Sequence, residues 1–524
     1  MKDFLSIVKL ACLTAAAALI VSCGGGADYR NVLPADSFVT MSVDAASLLK
    51  KSGTCDAASN PLLDRLKAEL DKAEELSAEE KEYLFSLLEN PAESGLDLKK
   101  ELFLFISADG ADINNPEVGG GLLFPVGDKS KLDALIARIN EKSGTGTVTE
   151  AGVSVVKIGE ESEASGVCAY NDIACLHYFK TDPCGVVEEK VRKLFAQKRA
   201  ESLMGDKAVA ARLAARNDVN MVVSYANLSA MMNNPMLGAM PMMDVLKGAL
   251  VMGSANFEKG RIVSDAAVSY KDKASVEKAA AFYAYVKPQT GDLLRYVPAG
   301  SLAALSYGLD GEKLYTMLAA MPGYGMMLGN PMVKQVLDAF DGDCMVSFSG
   351  MTPDGRFPIV SLLAQVDDPA VLQTVVTNLA GMPIQQTAEG EYVFNSGDVS
   401  VLFGVKNEVL YCTTDTAVKS ALDGAKIESL TSLDGIVKGQ SCTFWVDFKG
   451  LSALVSQLAG KAGTPQVEVA LAVLGMFDDM EAYSTMEGGK LVVNMADKEQ
   501  NAFKTICDTT GALIRRYMPE ADEI

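Results

Sequence analysis

From residue 34 to 49 the pattern of apolar and polar positions changes period once. Ser37 to Val43 reads as a strand after the Pro34-Ala35-Asp36 turn, and Asp44 then introduces a short helix through Leu49. The same passage recurs at 217–232, 298–318 and 439–458. A second landmark follows each copy: Asn60-Pro61, Asn234-Pro235, Asn330-Pro331 and Thr464-Pro465. Asn or Thr caps the free amides of a helix, and Pro suits its first position because the missing N–H would have no partner there. Two strands and a further helix come next. The strands are expected at 101–107 and 119–126, 250–257 and 261–270, 344–350 and 358–366, and 481–486 and 491–495. The helices are expected at 129–140 and from residues 274, 369 and 499.

Four ordered landmarks in four copies predict an α+β protein of four tandem strand–helix–helix–strand–strand–helix repeats, with antiparallel sheets covered by helices on one face. The first and third repeats each carry an extra piece, 147–179 and 384–414, that reads as three short strands. The repeats therefore pair into two duplicated halves, 33–290 and 291–524. The first repeat also holds an insertion at 77–88, a helix opened by the capping-box pattern Ser77-x-x-Glu80. An amphipathic helix over 186–204 turns Val187, Val191, Leu194 and Phe195 to one side.

Composition changes little in that picture, but charge and the first residues add to it. The 524 residues are 49% hydrophobic and 22% charged, an ordinary globular balance. A net charge of -21 and the lack of any basic run argue against nucleic acid as a partner, because phosphate binding needs clustered Lys and Arg. Lys2 and Lys9 precede a short apolar run, Leu10–Val21, which ends in Leu19-Ile20-Val21-Ser22-Cys23. That order resembles a bacterial lipoprotein signal, and the resemblance implies a signal peptide over 1–22 and, over 23–32, a lipidated Cys23 with a glycine-rich tether, whose lipid would anchor the body to a membrane.

The residue types leave few chemistries. His177 is the single histidine, so a histidine-rich metal site is excluded by count and no metal is expected. Ser47-x-x-Lys50 has the spacing of penicillin-binding enzymes, without their companion motifs. Gly323 to Gly329 is one residue too long for a dinucleotide loop, and the oxygen-rich loop Asp109–Glu117 departs from EF-hand spacing. No cofactor is implied. Cys168 and Cys175 flank Asn171-Asp172 in an expected tight hairpin, which would set them opposite one another as a disulfide or as two buried thiols. Methionine is concentrated in two places. Met236, Met240 and Met242 in one, and Met321, Met326 and Met327 in the other, would line a soft apolar groove or fill a core.

Ile20-Val21-Ser22-Cys23 resembles the bacterial lipoprotein cleavage motif. With the Leu33-Pro34-Ala35-Asp36-Ser37 opening and the fourfold repeat, the chain resembles a family of Bacteroidota cell-envelope lipoproteins of unknown function. That resemblance implies a lipid-anchored envelope protein and transfers no catalytic residues. Gly24 after the lipid-bearing cysteine resembles the pattern for outer-membrane sorting. The expectation is a non-enzymatic protein that binds or scaffolds an envelope partner. The alternatives are a carrier of an apolar ligand in a Met-rich groove, or a hydrolase using carboxylates or serine without histidine.

Overall fold

The computed structural model describes residues 28–53, 67, 70–73, 76–109, 117–158, 165–180, 184–231, 241–321, 324, 328–378, 383–397, 399–460 and 464–517. Helices and strands are mixed, and every named strand pairing is antiparallel. The chain divides into two compact units. One takes residues up to Asn233 with Leu246–Glu258 and Asn501–Ile514; the other takes Asn234–Val245, Lys259–Gln500 and Arg515–Ile524.

The first unit holds strands β1 (Ser37–Val43), β2 (Leu102–Asp109), β3 (Glu117–Pro125), β4 (Thr147–Glu150), β5 (Val153–Ile158), β6 (Ser165–Tyr170), β7 (Ala174–Lys180), β8 (Val219–Ser224) and β9 (Ala249–Glu258). They lie in the order β4-β5-β6-β7-β3-β2-β1-β8-β9. Helices α1 (Ala45–Ser52), α2 (Ala78–Glu89), α3 (Lys129–Ser143), α4 (Cys184–Ala196) and α5 (Lys207–Ala214) belong to it. Both faces of this sheet carry a core, where the sequence predicts helices on one. Phe105, Leu123 and Leu176 face Val187, Val191 and Leu213 of α4 and α5. Phe124 and Tyr170 point the other way, onto Leu132, Leu135 and Ile136 of α3. Apolar runs such as Leu122-Leu123-Phe124 serve both sides at once, because successive side chains of a strand point to opposite faces.

The second unit contains β10 (Arg261–Tyr270), β11 (Val286–Lys287), β12 (Ala303–Asp310), β13 (Phe340–Met351), β14 (Pro358–Val366), β15 (Ile384–Ala388), β16 (Glu391–Ser396), β17 (Val399–Lys406), β18 (Val409–Thr413), β19 (Cys442–Asp447), β20 (Phe477–Ser484) and β21 (Gly488–Met495). Their order is β10-β21-β20-β19-β12-β13-β14-β18-β17-β16-β15, with β11 at the end of β12. Its helices include α6 (Gly311–Ala319), α7 (Pro331–Asp338), α8 (Thr416–Leu422), α9 (Phe448–Ala459) and α10 (Pro465–Leu474).

Several local expectations shift. The pieces at 147–179 and 384–414 each contain four strands, because Ala151-Gly152 and Glu389-Gly390 turn the chain once more. Ala151 and Gly152 take positive φ of 50° and 79° to do so. The helix expected over 186–204 stops at Ala196. Gln197 then donates its side-chain amide to the carbonyl oxygens of Asn31 and Leu33, and short 3-10 turns follow. The strand expected at 481–486 lies at 477–484: Asp478 and Asp479 hide its start, although Asn494 bonds Asp479 from the neighbouring strand. The Asn330 and Thr464 caps form, and the Asn60-Pro61 and Asn234-Pro235 copies lie outside the described residues.

The capping box before α2 also forms. Glu80 accepts from the Ser77 backbone N–H at 2.6 Å, and Lys142 lies 2.8 Å from its other oxygen. The Lys142 hydrogen bond, followed by those from Ser77, holds the Glu80 carboxyl down to about 2 from an ordinary 4.5. Its folded value lies below its unfolded one. The stabilisation is therefore complete above pH 4.5 and is lost as pH falls through about 2. A carboxyl NMR titration of Glu80 is expected to show a midpoint near 2; a midpoint at 4.5 would refute the pairing.

Candidate functional site

In a one-sided sheet the buried face is ordinarily apolar and the solvent face polar. Across the middle of the second unit this rule is inverted. Ser306, Ser347, Ser361 and Thr443 are buried, each at 2% exposure or less. Their chain neighbours Leu305, Val346, Leu362 and Phe444 are 37% to 44% exposed. The four form a cross-strand row on β14, β13, β12 and β19, since Leu362 pairs with Val346, Val346 with Leu305 and Leu305 with Phe444. The row continues through Ala482 and Leu491 to Ser264 on β20, β21 and β10. Tyr307 and Val360 stand beside it on the same face, at 38% and 37% exposure.

The opposite face explains how the serines are tolerated. It carries a core of Met345, Leu363, Tyr411, Leu293 and Val437. Within it Ser361 and Thr413 share a hydrogen bond at 2.6 Å, and Ser306 donates to Gln289. Small hydroxylated side chains let the overlying turns approach closely, and pairing spares Ser306, Ser361 and Thr443 the cost of an unsatisfied polar group, whereas Ser347 Oγ has no hydrogen-bond partner. The large apolar side chains are left on the open side.

At one end of the row lies a hollow of about 250 Å³, lined by Phe444, Cys442, Ala482, Leu491 and Ala266. Small residues, Ser484 and Gly489 among them, also line it, as do Lys490 and Asp265. Helix α9 and helix α10 carry many apolar residues, yet neither has a buried one. The row thus exposes a run of apolar side chains beside buried Cys344 and Ala364 of the same face, and exposed apolar patches mark binding sites rather than ordinary solvent-facing sheet.

The first unit contains a polar cluster around Asp218. Ser47 donates its hydroxyl to Asp218 Oδ1 at 2.6 Å, Lys51 Nζ lies 2.6 Å from Oδ2, and the Phe257 N–H donates to Oδ2 at 2.6 Å. Lys50, which gives the Ser47 motif its spacing, is exposed, and Lys51 makes the contact instead. Asp44 caps α1 through Ser47 N at 2.9 Å and accepts from Arg216 at 2.9 Å. These bonds fill the Asp218 carboxylate, so the cluster reads as a pin joining α1 to β8 and β9 rather than as a base awaiting a proton. A second buried carboxylate, Asp343, accepts from Thr290 N, Thr290 Oγ1 and Gly291 N at 2.7 to 2.9 Å in the other unit.

The remaining sequence candidates separate. Cys23, Met236, Met240, Met326 and Met327 lie outside the described residues. Met242 falls in the helix Pro241–Leu246, and Met321, half-buried, follows α6. Cys168 and Cys175 are free thiols with sulfurs 4.0 Å apart. They are not directly opposite: Cys168 pairs with His177, and Cys175 with Tyr170. Asn171 donates its N–H to the Ala174 carbonyl and accepts from Ile173 N and Ala174 N, so the turn is centred on Asp172-Ile173, one residue later than expected, and the register moves with it. A hydrogen bond with Cys168 and then burial raise the Cys175 pKa, and burial lowers that of His177. Among the described residues no three His, Cys, Asp or Glu side chains converge as metal ligands, and no helix is long and apolar enough to cross a membrane.

Sequence reasoning missed the apolar row because the residues buried behind it are the polar ones. The Leu-Ser-Tyr and Val-Ser-Phe alternations reveal two faces but not which one is covered. No curated protein and no solved structure matches the chain. The family described as a domain of unknown function, DUF4836, matches residues 29–426, which is most of the chain, and the protein belongs to that family.

Proposed function

We propose that this protein is a non-enzymatic binding protein of the bacterial cell envelope, and that it takes up an apolar chain, such as the acyl chain of a lipid, along the open sheet face of its second unit. The observation that carries the reading is the inverted polarity at Leu305, Val346, Leu362 and Phe444. A narrow row that ends in a small hollow suits an extended chain, whereas a stable protein interface needs about 800 Å² on each partner. Each methylene withdrawn from water contributes about 0.8 kcal/mol, so about ten would give roughly 8 kcal/mol before ordering costs.

The same reading places the protein in Bacteroidota, anchored at the outer membrane by a lipid on Cys23. The Leu19–Cys23 motif and the apolar run before it support this. We further read the body as two duplicated halves of four repeats. The strand orders support that reading: β4-β5-β6-β7-β3-β2-β1-β8-β9 runs in step with β15-β16-β17-β18-β14-β13-β12-β19-β20. Asp44 and Asp310 also cap the helix after the matching strand in the same way.

Phe444→Trp combined with Trp445→Phe provides the test, because the exchange moves the single tryptophan from the core face of β19 to the open one. A fatty acid brominated along its chain is expected to quench the fluorescence of that variant saturably, with a dissociation constant of about 1–100 µM. Leu305→Lys with Leu362→Lys is expected to weaken that binding at least tenfold, because both sites are exposed and a charge placed there repels an apolar chain. Quenching that does not saturate, or that the double substitution leaves unchanged, would refute the proposal.

A further inference from the structure

A cavity in the first unit has walls of a different chemistry from the apolar row of the second. It measures about 620 Å³, within the roughly 300–1,000 Å³ of small-ligand sites. One wall is α3. Lys129, Asp133 and Asn140 recur at spacings of four and seven, which puts them on one helical face. The other wall is the end of the sheet. Thr147 and Thr149 point to the same side of β4, Ser154 pairs with Thr149, and Tyr170 pairs with Ser154. Three hydroxyls therefore cross three strands in a row facing the helix.

These groups are held in place and keep spare bonding capacity. Thr149 Oγ1 and Ser154 Oγ are 3.0 Å apart. Asn140 Nδ2 donates to Thr147 Oγ1 at 2.7 Å, and Asn140 Oδ1 accepts from Thr145 Oγ1 at 2.8 Å. Each hydroxyl can donate once and accept twice, and the amide nitrogen has a second hydrogen, so the network still offers both roles to a guest. Lys129 and Asp133 form an ion pair at 2.8 Å, at 31% and 45% exposure, which presents a donor and an acceptor side by side. Burial, and then a hydrogen bond with Asp133, push the Tyr170 phenol up, so it stays protonated at neutral pH with its proton directed at Asp133, which leaves its oxygen as an acceptor.

The ligand chemistry follows from what the walls do and do not offer. Ala137 is the one aliphatic residue among the lining residues, and the others all carry a polar group that an acyl chain would leave without a partner. Asp133 and Glu141 outnumber Lys129, and the whole chain carries -21, so an anion is disfavoured. Closely spaced groups that both donate and accept match a ligand whose neighbouring groups do the same. We infer that the cleft between α3 and β4 is a binding site for a neutral saccharide, with Asp133, Asn140, Thr149 and Tyr170 bonding adjacent ring hydroxyls.

The test uses the full chain and free sugars: glucose, mannose, galactose, N-acetylglucosamine and maltose. Saturation-transfer NMR and calorimetry are expected to detect saturable binding of at least one, with a dissociation constant of about 0.1–10 mM. Asn140→Ala and Asp133→Asn are each expected to weaken it at least tenfold while the far-ultraviolet circular dichroism at the assay temperature stays that of the unsubstituted chain, since both residues are half-buried on one face of α3. Absence of saturable binding up to about 50 mM for all five sugars would overturn the inference, as would binding that both variants retain. Fatty-acid quenching is read in the other unit, so its failure has no bearing on this outcome.

Discussion

Replacing Asp218 with alanine is expected to cost about 3–5 kcal/mol of folding stability, the range for removing one partner of a buried charge pair. Asp218 is 2% exposed and takes three side-chain or backbone donors at 2.6 Å, from Ser47, Lys51 and Phe257. Its own carbonyl oxygen accepts from Asp44 N at 2.9 Å. Alanine would strand the Ser47 hydroxyl and the Phe257 N–H together. Lys51 has 29% side-chain exposure and can turn partly to water, which keeps the loss toward the lower end of that range. Asp218→Asn keeps one acceptor and loses the charge attraction, so an intermediate loss is expected. Urea unfolding followed by far-ultraviolet circular dichroism measures both. A loss below about 1 kcal/mol for the alanine variant would show that the cluster is not a structural pin.

Asp218 also marks where the sequence stops being readable. Local signals hold well. Asp44, Ser77, Asp128, Asn330 and Thr464 all cap the helices they precede, because a cap is decided within three residues of itself. The strands at 261–270 and 358–366 lie where alternation puts them. What fails is information carried by contact. Ser47 and Asp218 are 171 residues apart in sequence, and neither has a local pattern that announces the other. Ser47 invites a motif reading with Lys50, but the helix turns Lys51 toward the carboxylate.

The apolar row fails for a related reason. Ser306, Ser347 and Ser361 look like solvent positions, and only the turns packed over them make them interior. An inversion of this kind is visible once partners are known on both faces of a strand. The polar cleft beside α3 lies between these cases. Lys129, Asp133 and Asn140 share a helical face that can be counted from the sequence, but the extra strand β4 that closes the cleft is hidden behind the Ala151-Gly152 turn.

Gly311→Ala is expected to destabilise the second unit by about 3 kcal/mol, although alanine is ordinarily favoured over glycine in a helix by about 1 kcal/mol. Gly311 is the first residue of α6, directly after the Asp310 cap, and it is buried. A Cβ there would sit 1.8 Å from the Leu337 carbonyl oxygen and 2.8 Å from that of Phe340. Both obstacles are backbone, at the end of α7 and the start of β13, so no rotamer change relieves them. Ala45 stands directly after the Asp44 cap of α1, so comparison of the two capped helix starts in sequence alone would rate alanine as harmless. Gly435 is the control: it lies in the short helix Asp434–Val437 with nothing within 4 Å of its Cβ position. There alanine is expected to be neutral or to stabilise by up to about 1 kcal/mol. Urea unfolding read at Trp445 compares the two, and equal midpoints would show that α6 can shift away from Leu337 at no cost.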